Sequence, residues 1–178
     1  MATGENLLCV GKCSSSLYHT RPPIQFNLGS NVQQAGIYGF TGPFRFLSNF
    51  YPVKVIWETI EFQSVEHAYV AAKTHDFGLK LQIAEVKTSG EVKRLGRRLE
   101  LRDDWEEIKL DVMLDLLIQK FSQEPFKTKL MLTRDLYLEE TNTWGDKFWG
   151  VCNGVGENNL GKLLMWVRAS LLEIKNAV

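Results

Sequence analysis

The amino-acid sequence predicts a mostly helical α+β fold with a small antiparallel β element. Three observations carry that expectation: short β-like runs from residue 37, a succession of helical periodicities after them, and no regular strand–helix alternation of the kind that builds a parallel sheet. With 178 residues, 44% of them hydrophobic and 24% charged, the chain fits one domain around one core. A core of that size needs neither disulfides nor a structural metal to fold.

Residues 1–36 show no sustained period, and Ser14-Ser15-Ser16, Pro22-Pro23 and Gln33-Gln34 break up lone apolar residues. This stretch reads as a partly ordered extension to a domain over 37–178. Gly11-Lys12 imitates the end of a phosphate-binding loop, but Cys13 replaces the magnesium-holding Ser or Thr and Asn6 the first glycine. Cys9, Cys13 and His19 offer three metal ligands with no fourth nearby, so no metal site is expected.

Residues 37–40, 53–56 and 60–62 read as strands, with a turn at Glu58-Thr59. Ser64 is placed to cap a helix running to about Thr74. Helices follow over 79–88 and 91–98, with Gly90 as the break between them. Asp104-Trp105-Glu106-Glu107 has capping-box spacing and opens a helix to about Phe121, whose apolar residues lie on more than one face, as in a helix surrounded by others. Pro125 suits the first turn of a helix to about Thr133, and 136–138 reads as a strand. The last helix carries Leu160, Leu163, Leu164, Val167, Leu171 and Ile174 at i, i+3, i+4, i+7 spacing.

Twenty-one basic residues balance twenty-one acidic ones, which excludes gripping nucleic acid or anionic membrane by bulk charge. Cys9, Cys13 and Cys152 are too few and too scattered for a disulfide framework, so a reducing cytoplasm is the expected compartment. Residues 1–6 lack a basic leader, residues 7–10 are too short an apolar run for a signal segment, and nothing approaches the roughly 20 apolar residues of a membrane span.

Three segments carry polar residues that packing does not obviously require. On a helix from residue 65, Glu66, Tyr69 and Lys73 share one face. A solvated stripe has the same spacing. If that face is buried, desolvation lowers the Lys73 ammonium and frees an amine for nucleophilic attack, whereas the first-turn position of Glu66 favours its charged form unless it is deeply enclosed. His67 points elsewhere and reads as a structural histidine. In Phe46-Leu47-Ser48-Asn49-Phe50, hydrogen-bonding side chains between aromatics fit either a ligand loop or a self-stabilised turn. From Glu139 to Gly161, glycines permit close backbone approach, Trp149 can stack on a base, and Asp146 supplies a carboxylate for Glu66 to face. Lys93, Arg94, Arg97 and Arg98 can receive a phosphate or simply face water.

In this order the segments resemble the NADAR superfamily, the YbiA-like N-glycosidases. The resemblance rests on Leu47-Ser48-Asn49-Phe50, Glu66-His67, Lys73, Gly96-Arg97, Trp105, Met113, Glu139, Asp146, Trp149-Gly150, Gly156-x-Asn158-x-Leu160-Gly161, Leu164-Met165 and Arg168, across about residues 38–172. Val70 departs from the glutamine common in relatives, and Cys152 from a glycine. The resemblance implies a single-domain YbiA-like fold and cleavage of a ribose C1′–N bond, without metal or cofactor. Its expected substrates are ADP-ribosylated guanine in nucleic acid or phosphoribosylamino intermediates of riboflavin synthesis. Lys73 is implied as a Schiff-base nucleophile, with Glu66 and Asp146 moving protons. Ser48, Asn49, Arg97, Trp105, Trp149, Gly150 and Asn158 are implied to hold the substrate. A non-catalytic ADP-ribose-binding module is the alternative of another class.

Overall fold

A computed structural model describes residues 34–176, with side chains to residue 173. The reading of residues 1–33, including the Cys9, Cys13 and His19 metal question, lies outside them. The chain begins with strand β1 (Gly36–Tyr38) and a 3₁₀ segment (Gly42–Leu47) opened by Pro43. The hairpin of β2 (Val55–Trp57) and β3 (Ile60–Phe62) follows, antiparallel and paired Val55↔Phe62 and Trp57↔Ile60. Glu58 and Thr59 both have positive φ, the geometry of a two-residue turn matched to strand twist, and the buried Lys80 holds the Glu58 carboxylate.

Helix α1 (Val65–Ala71) starts at Ser64, whose Oγ accepts the His67 amide at 3.3 Å. Almost every α1 side chain is buried, so this short helix is a core element and not a surface stripe. His67 is fully satisfied: its Nε2–H donates to the Val86 carbonyl at 3.0 Å, leaving Nδ1 to accept the Ser64 hydroxyl at 2.6 Å. Helix α2 (Phe77–Glu85) is capped by Asp76 and α3 (Ser89–Gly96) by Thr88. The break between them is not Gly90, which lies in the first turn of α3. Thr88 and Glu91 form a reciprocal cap, Thr88 Oγ1 taking the Glu91 amide at 3.2 Å and donating to Glu91 Oε2 at 2.9 Å, and that pair starts the helix ahead of the glycine.

Helix α4 (Trp105–Phe121) crosses the core and buries Val112, Met113, Leu114, Leu116, Leu117 and Phe121 on more than one side, as its pattern predicts. Each such side chain contributes about 1.5–3 kcal/mol by leaving water. The expected capping box at Asp104 does not form: Arg102 takes both carboxylate oxygens through Nε and Nη2, leaving no side-chain cap. Helix α5 (Phe126–Leu132) follows Pro125, and α6 (Asn159–Asn176) buries Leu160, Leu163, Leu164 and Val167.

Between α5 and α6 lie β4 (Tyr137–Glu139), β5 (Thr141–Asn142) and β6 (Val151–Cys152). The antiparallel hairpin is therefore joined by two parallel pairs, β1–β4 and β5–β6. The first couples residues 36–38 to 137–139, a pairing invisible to local pattern because a parallel partner needs a long crossover. No helix among the described residues is long and apolar enough to cross a membrane.

Candidate active site

One cavity of about 570 Å³ opens where α1, α3, the loop after the 3₁₀ segment and the segment from 140 to 149 converge. Its wall includes Ser48, Asn49, Glu66, Lys73, Arg97, Asp146 and Trp149, so seven of the ten residues named from the sequence come together. Glu66, Tyr69 and Lys73 all face this cavity and do not form a stripe on the outer surface.

The aromatic floor is made of rings tilted or edge-on to one another. Tyr69 packs 5.1 Å from the Trp105 ring and 5.4 Å from Trp149, which itself meets Phe148 at 5.0 Å. The Lys73 Nζ sits 5.4 Å from the Tyr69 ring centroid and 5.8 Å from that of Trp105. Burial against these rings lowers the Lys73 ammonium from its ordinary value; Glu66 opposes the shift and Lys93 adds to it. A larger fraction of free amine results.

Glu66 reaches the cavity but is enclosed by protein. Burial raises its carboxyl from 4.5 to about 7, Lys93 and Lys73 pull it down, and Asp146 pushes it further up. Desolvation thus outweighs the first-turn dipole, and Glu66 is able to hold a proton near neutrality. Glu66 is half-buried at the cavity wall, and the protein packed around it reverses the ionisation expected from its first-turn position.

Asp146 is fixed by its own loop. Its Oδ1 accepts the Phe148 amide at 3.2 Å and the Trp149 amide at 2.9 Å. The buried Asn142 side chain clasps the backbone on both sides of Asp146, donating to its carbonyl at 2.7 Å and accepting its amide at 3.1 Å. Asn49 is buried at the cavity wall with its Oδ1 unpartnered and its Nδ2 in contact only with the Met113 sulfur at 3.5 Å, an amide available to a ligand. Ser48 satisfies both readings of its loop: it lines the cavity, and its Oγ accepts the Phe50 amide at 3.2 Å. At the mouth, Lys93 lies 5.5 Å from the Phe50 ring and 5.0 Å from the exposed Trp144, with the exposed Arg97 one helical turn on.

The other three residues stand behind the wall. Trp105 is buried beneath Tyr69. Gly150 is a close-packing position: a Cβ there would fall 2.1 Å from the Glu140 carbonyl oxygen. Asn158 is buried, and its amide holds Leu138 O at 2.9 Å, the Tyr137 hydroxyl at 3.0 Å and the Glu140 amide at 3.1 Å. None of the three lines the cavity; they shape the floor and the 137–140 backbone, for which their polar or compact side chains are sufficient reason.

The residue that sequence reasoning missed is Glu140. It lines the cavity, its Oε2 is buried without a hydrogen-bond partner, and burial raises its carboxyl to about 7, against the pull of Lys93 and with the charges of Asp146 and Glu66 assisting. Its neighbour Glu139, singled out instead, pairs with β1 and accepts the Thr141 hydroxyl at 2.7 Å away from the cavity wall. Of the two departures, Val70 gives the wall an apolar patch and packs on Gly96, where a Cβ would lie 2.9 Å from both Val70 methyls. Cys152 is buried in β6, away from the cavity.

A family model described as the NADAR domain matches residues 38–172. A riboflavin biosynthesis protein of Vibrio vulnificus is 33% identical over 154 residues, covering 83% of this chain and 42% of that protein. An N-glycosidase of Nostoc punctiforme is 35% identical over 141 residues, covering 75% of this chain and 88% of the other. The chain thus spans about two fifths of the first relative and most of the second. The NMR structure of YbiA from Escherichia coli superposes with a TM-score of 0.71 at 30% identity, over 81% of this chain and 89% of that one. Sequence and fold agree, and the chain belongs to the NADAR family.

Proposed function

We propose that this N-glycosidase hydrolyses the ribose C1′–N bond of ADP-ribosylated guanine bases in nucleic acid, with Lys73 as nucleophile. The observation that carries the reading is one cavity holding a desolvated lysine beside two carboxyls raised to about 7. Groups of that acidity give and take protons at neutral pH. A lone pair on the exocyclic nitrogen opens the ribose ring to an iminium as Glu66 protonates the ring oxygen. The neutral Lys73 amine adds to C1′, a proton passes to the base nitrogen, and the base leaves as its free amine, so the C1′–N bond is exchanged for a C1′=Nζ Schiff base. Water adds to C1′ and the carbinolamine expels Lys73, releasing the sugar as an aldehyde that recloses. Glu140 and Asp146 serve the proton transfers and offset the cationic intermediates.

Asn49 meets substrate polar atoms, Trp149 supplies a ring face, and Lys93 and Arg97 receive phosphate at the mouth. Ser48, Trp105, Gly150 and Asn158 act by shaping the loop and floor. Two cations and the exposed Trp144 offer more phosphate- and ring-binding surface than a single phosphate requires, which favours the ADP-ribosyl substrate. A phosphoribosylamino pyrimidine is the second reading, favoured by the name of the Vibrio relative.

The test is incubation with ADP-ribosylguanosine DNA and, separately, with a ribosylaminouracil phosphate, with cyanoborohydride in parallel samples and mass spectrometry of products and protein. Cleavage of the first with a sugar adduct on Lys73 is expected. Cleavage of the second alone transfers the assignment to the riboflavin intermediate. Tight ADP-ribose binding with no product from either identifies a binding module.

A further inference from the structure

α4 holds a buried lysine that the proposed chemistry does not use. Lys120 is fully buried, its Nζ donates to the Ser48 carbonyl at 2.8 Å, and it lies 5.1, 5.7 and 6.0 Å from the ring centroids of Phe121, Phe126 and Tyr51. Among the described residues no carboxylate forms a salt bridge with it. Lys80, equally buried, is an ordinary structural lysine by contrast, since it pairs with Glu58. Enclosing an ammonium without a counter-charge is unfavourable, and an apolar side chain of the same length would fill the same aromatic cage. Packing alone therefore gives no reason for a lysine at this position.

The reason lies in what it grips. Ser48 O, which also accepts the Tyr51 amide at 3.1 Å, begins the loop whose next residue is Asn49. Asn49 presents its unpartnered amide oxygen at the cavity wall, and its own carbonyl accepts the Glu66 amide at 3.0 Å. One donor on α4 thus reaches, through two consecutive carbonyls, both a substrate-facing amide and the first turn of the helix that carries Glu66 and leads to Lys73.

We infer that Lys120 is a positioning residue for the active site: its bond to Ser48 fixes the Ser48–Phe50 loop so that Asn49 meets substrate and Glu66 stays in register. The kinetic part of this inference rests on the glycosidase reading; the structural part does not.

Lys120→Met keeps the length and removes the donor, Lys120→Gln keeps a donor, and Lys80→Met is a control at a buried lysine away from the cavity. Each is compared with the full chain for denaturation midpoint, hydrogen exchange at the Tyr51 and Glu66 amides, and kcat and KM on whichever ribosylamine is cleaved. The expected result is a Lys120→Met protein at least as stable as wild type, with those two amides exchanging faster and KM raised about 10-fold, the scale of one charge-assisted hydrogen bond. Lys120→Gln recovers most of both effects, and Lys80→Met leaves KM unchanged. Unaltered exchange and KM in Lys120→Met overturn the inference. So does loss of stability and activity together in both Lys120 variants, or an equal rise of KM in Lys80→Met. If wild type cleaves nothing, the glycosidase reading fails by itself and amide exchange still decides the role of Lys120.

Discussion

The proton on Glu66 makes stability itself a reporter of the site. Its carboxyl has an ordinary value of 4.5 and stands at about 7 in the cavity, because burial outweighs the opposing charges of Lys93 and Lys73. Between those values the folded state binds a proton that the unfolded state has lost, so stability falls as pH rises. The associated stabilisation is complete below the unfolded value and gone once pH passes the folded one. A gap of about 2.5 in pKa corresponds to about 3 kcal/mol. Glu66→Gln abolishes this titration. Relative to wild type, the variant is expected to gain about 3 kcal/mol of stability between roughly pH 4 and roughly pH 8, with most of the change between the two pKa values. Urea denaturation followed by tryptophan fluorescence, repeated across that range for both proteins, measures the difference directly, and any loss from the amide itself enters as a constant offset. Parallel stability curves for variant and wild type, with no convergence or divergence across the range, would refute the claim that Glu66 is held protonated by burial.

Lys73→Ala is expected to abolish turnover and the cyanoborohydride adduct while retaining the fold; wild-type turnover at saturating substrate would exclude the Schiff base. Glu140→Gln should lower kcat about 100-fold, the lower end of what a positioned acid or base contributes, and steady-state kinetics checks it. Gly96→Ala drives a Cβ into the Val70 methyls and is expected to destabilise the protein by about 1–3 kcal/mol, with Val70→Ala restoring part of the loss in a double-mutant cycle. Asn158→Ala removes two hydrogen bonds to the 138–140 backbone and one to the Tyr137 hydroxyl; thermal denaturation should show a loss of about 1–3 kcal/mol.

Local rules carry far along this sequence, and they stop where distant segments meet. The 3.6-residue period locates α4 and α6, Ser64 caps α1, and Glu58-Thr59 forms the hairpin turn, because each depends on neighbours a few residues away. Asp104 is misleading because Arg102, two residues back, competes for its carboxylate more strongly than an amide does. Which of Glu139 and Glu140 faces the cavity is set by the register of β4 against β1, and nothing near either residue encodes it. The proton affinity of Glu66 is likewise a property of the walls around it, α3 and residues 140–149, that no helix wheel of α1 contains. Helical spacing groups Lys73 with Glu66, and the family resemblance adds Asp146 to them.

The pairing of residues 36–38 with 137–139 also dictates when the cavity can form. Glu66 and Lys73 come from the first half of the chain and Glu140, Asp146 and Trp149 from the second, so the cavity encloses no lysine–carboxylate cluster until nearly the whole domain has left the ribosome. Contacts of such separation must close a long loop before they repay its entropy, and they slow folding accordingly. Lys73 takes its ring contacts from Tyr69 and Trp105, whereas the Glu140 and Asp146 side of the cavity is built only once the second half of the chain has folded onto the first.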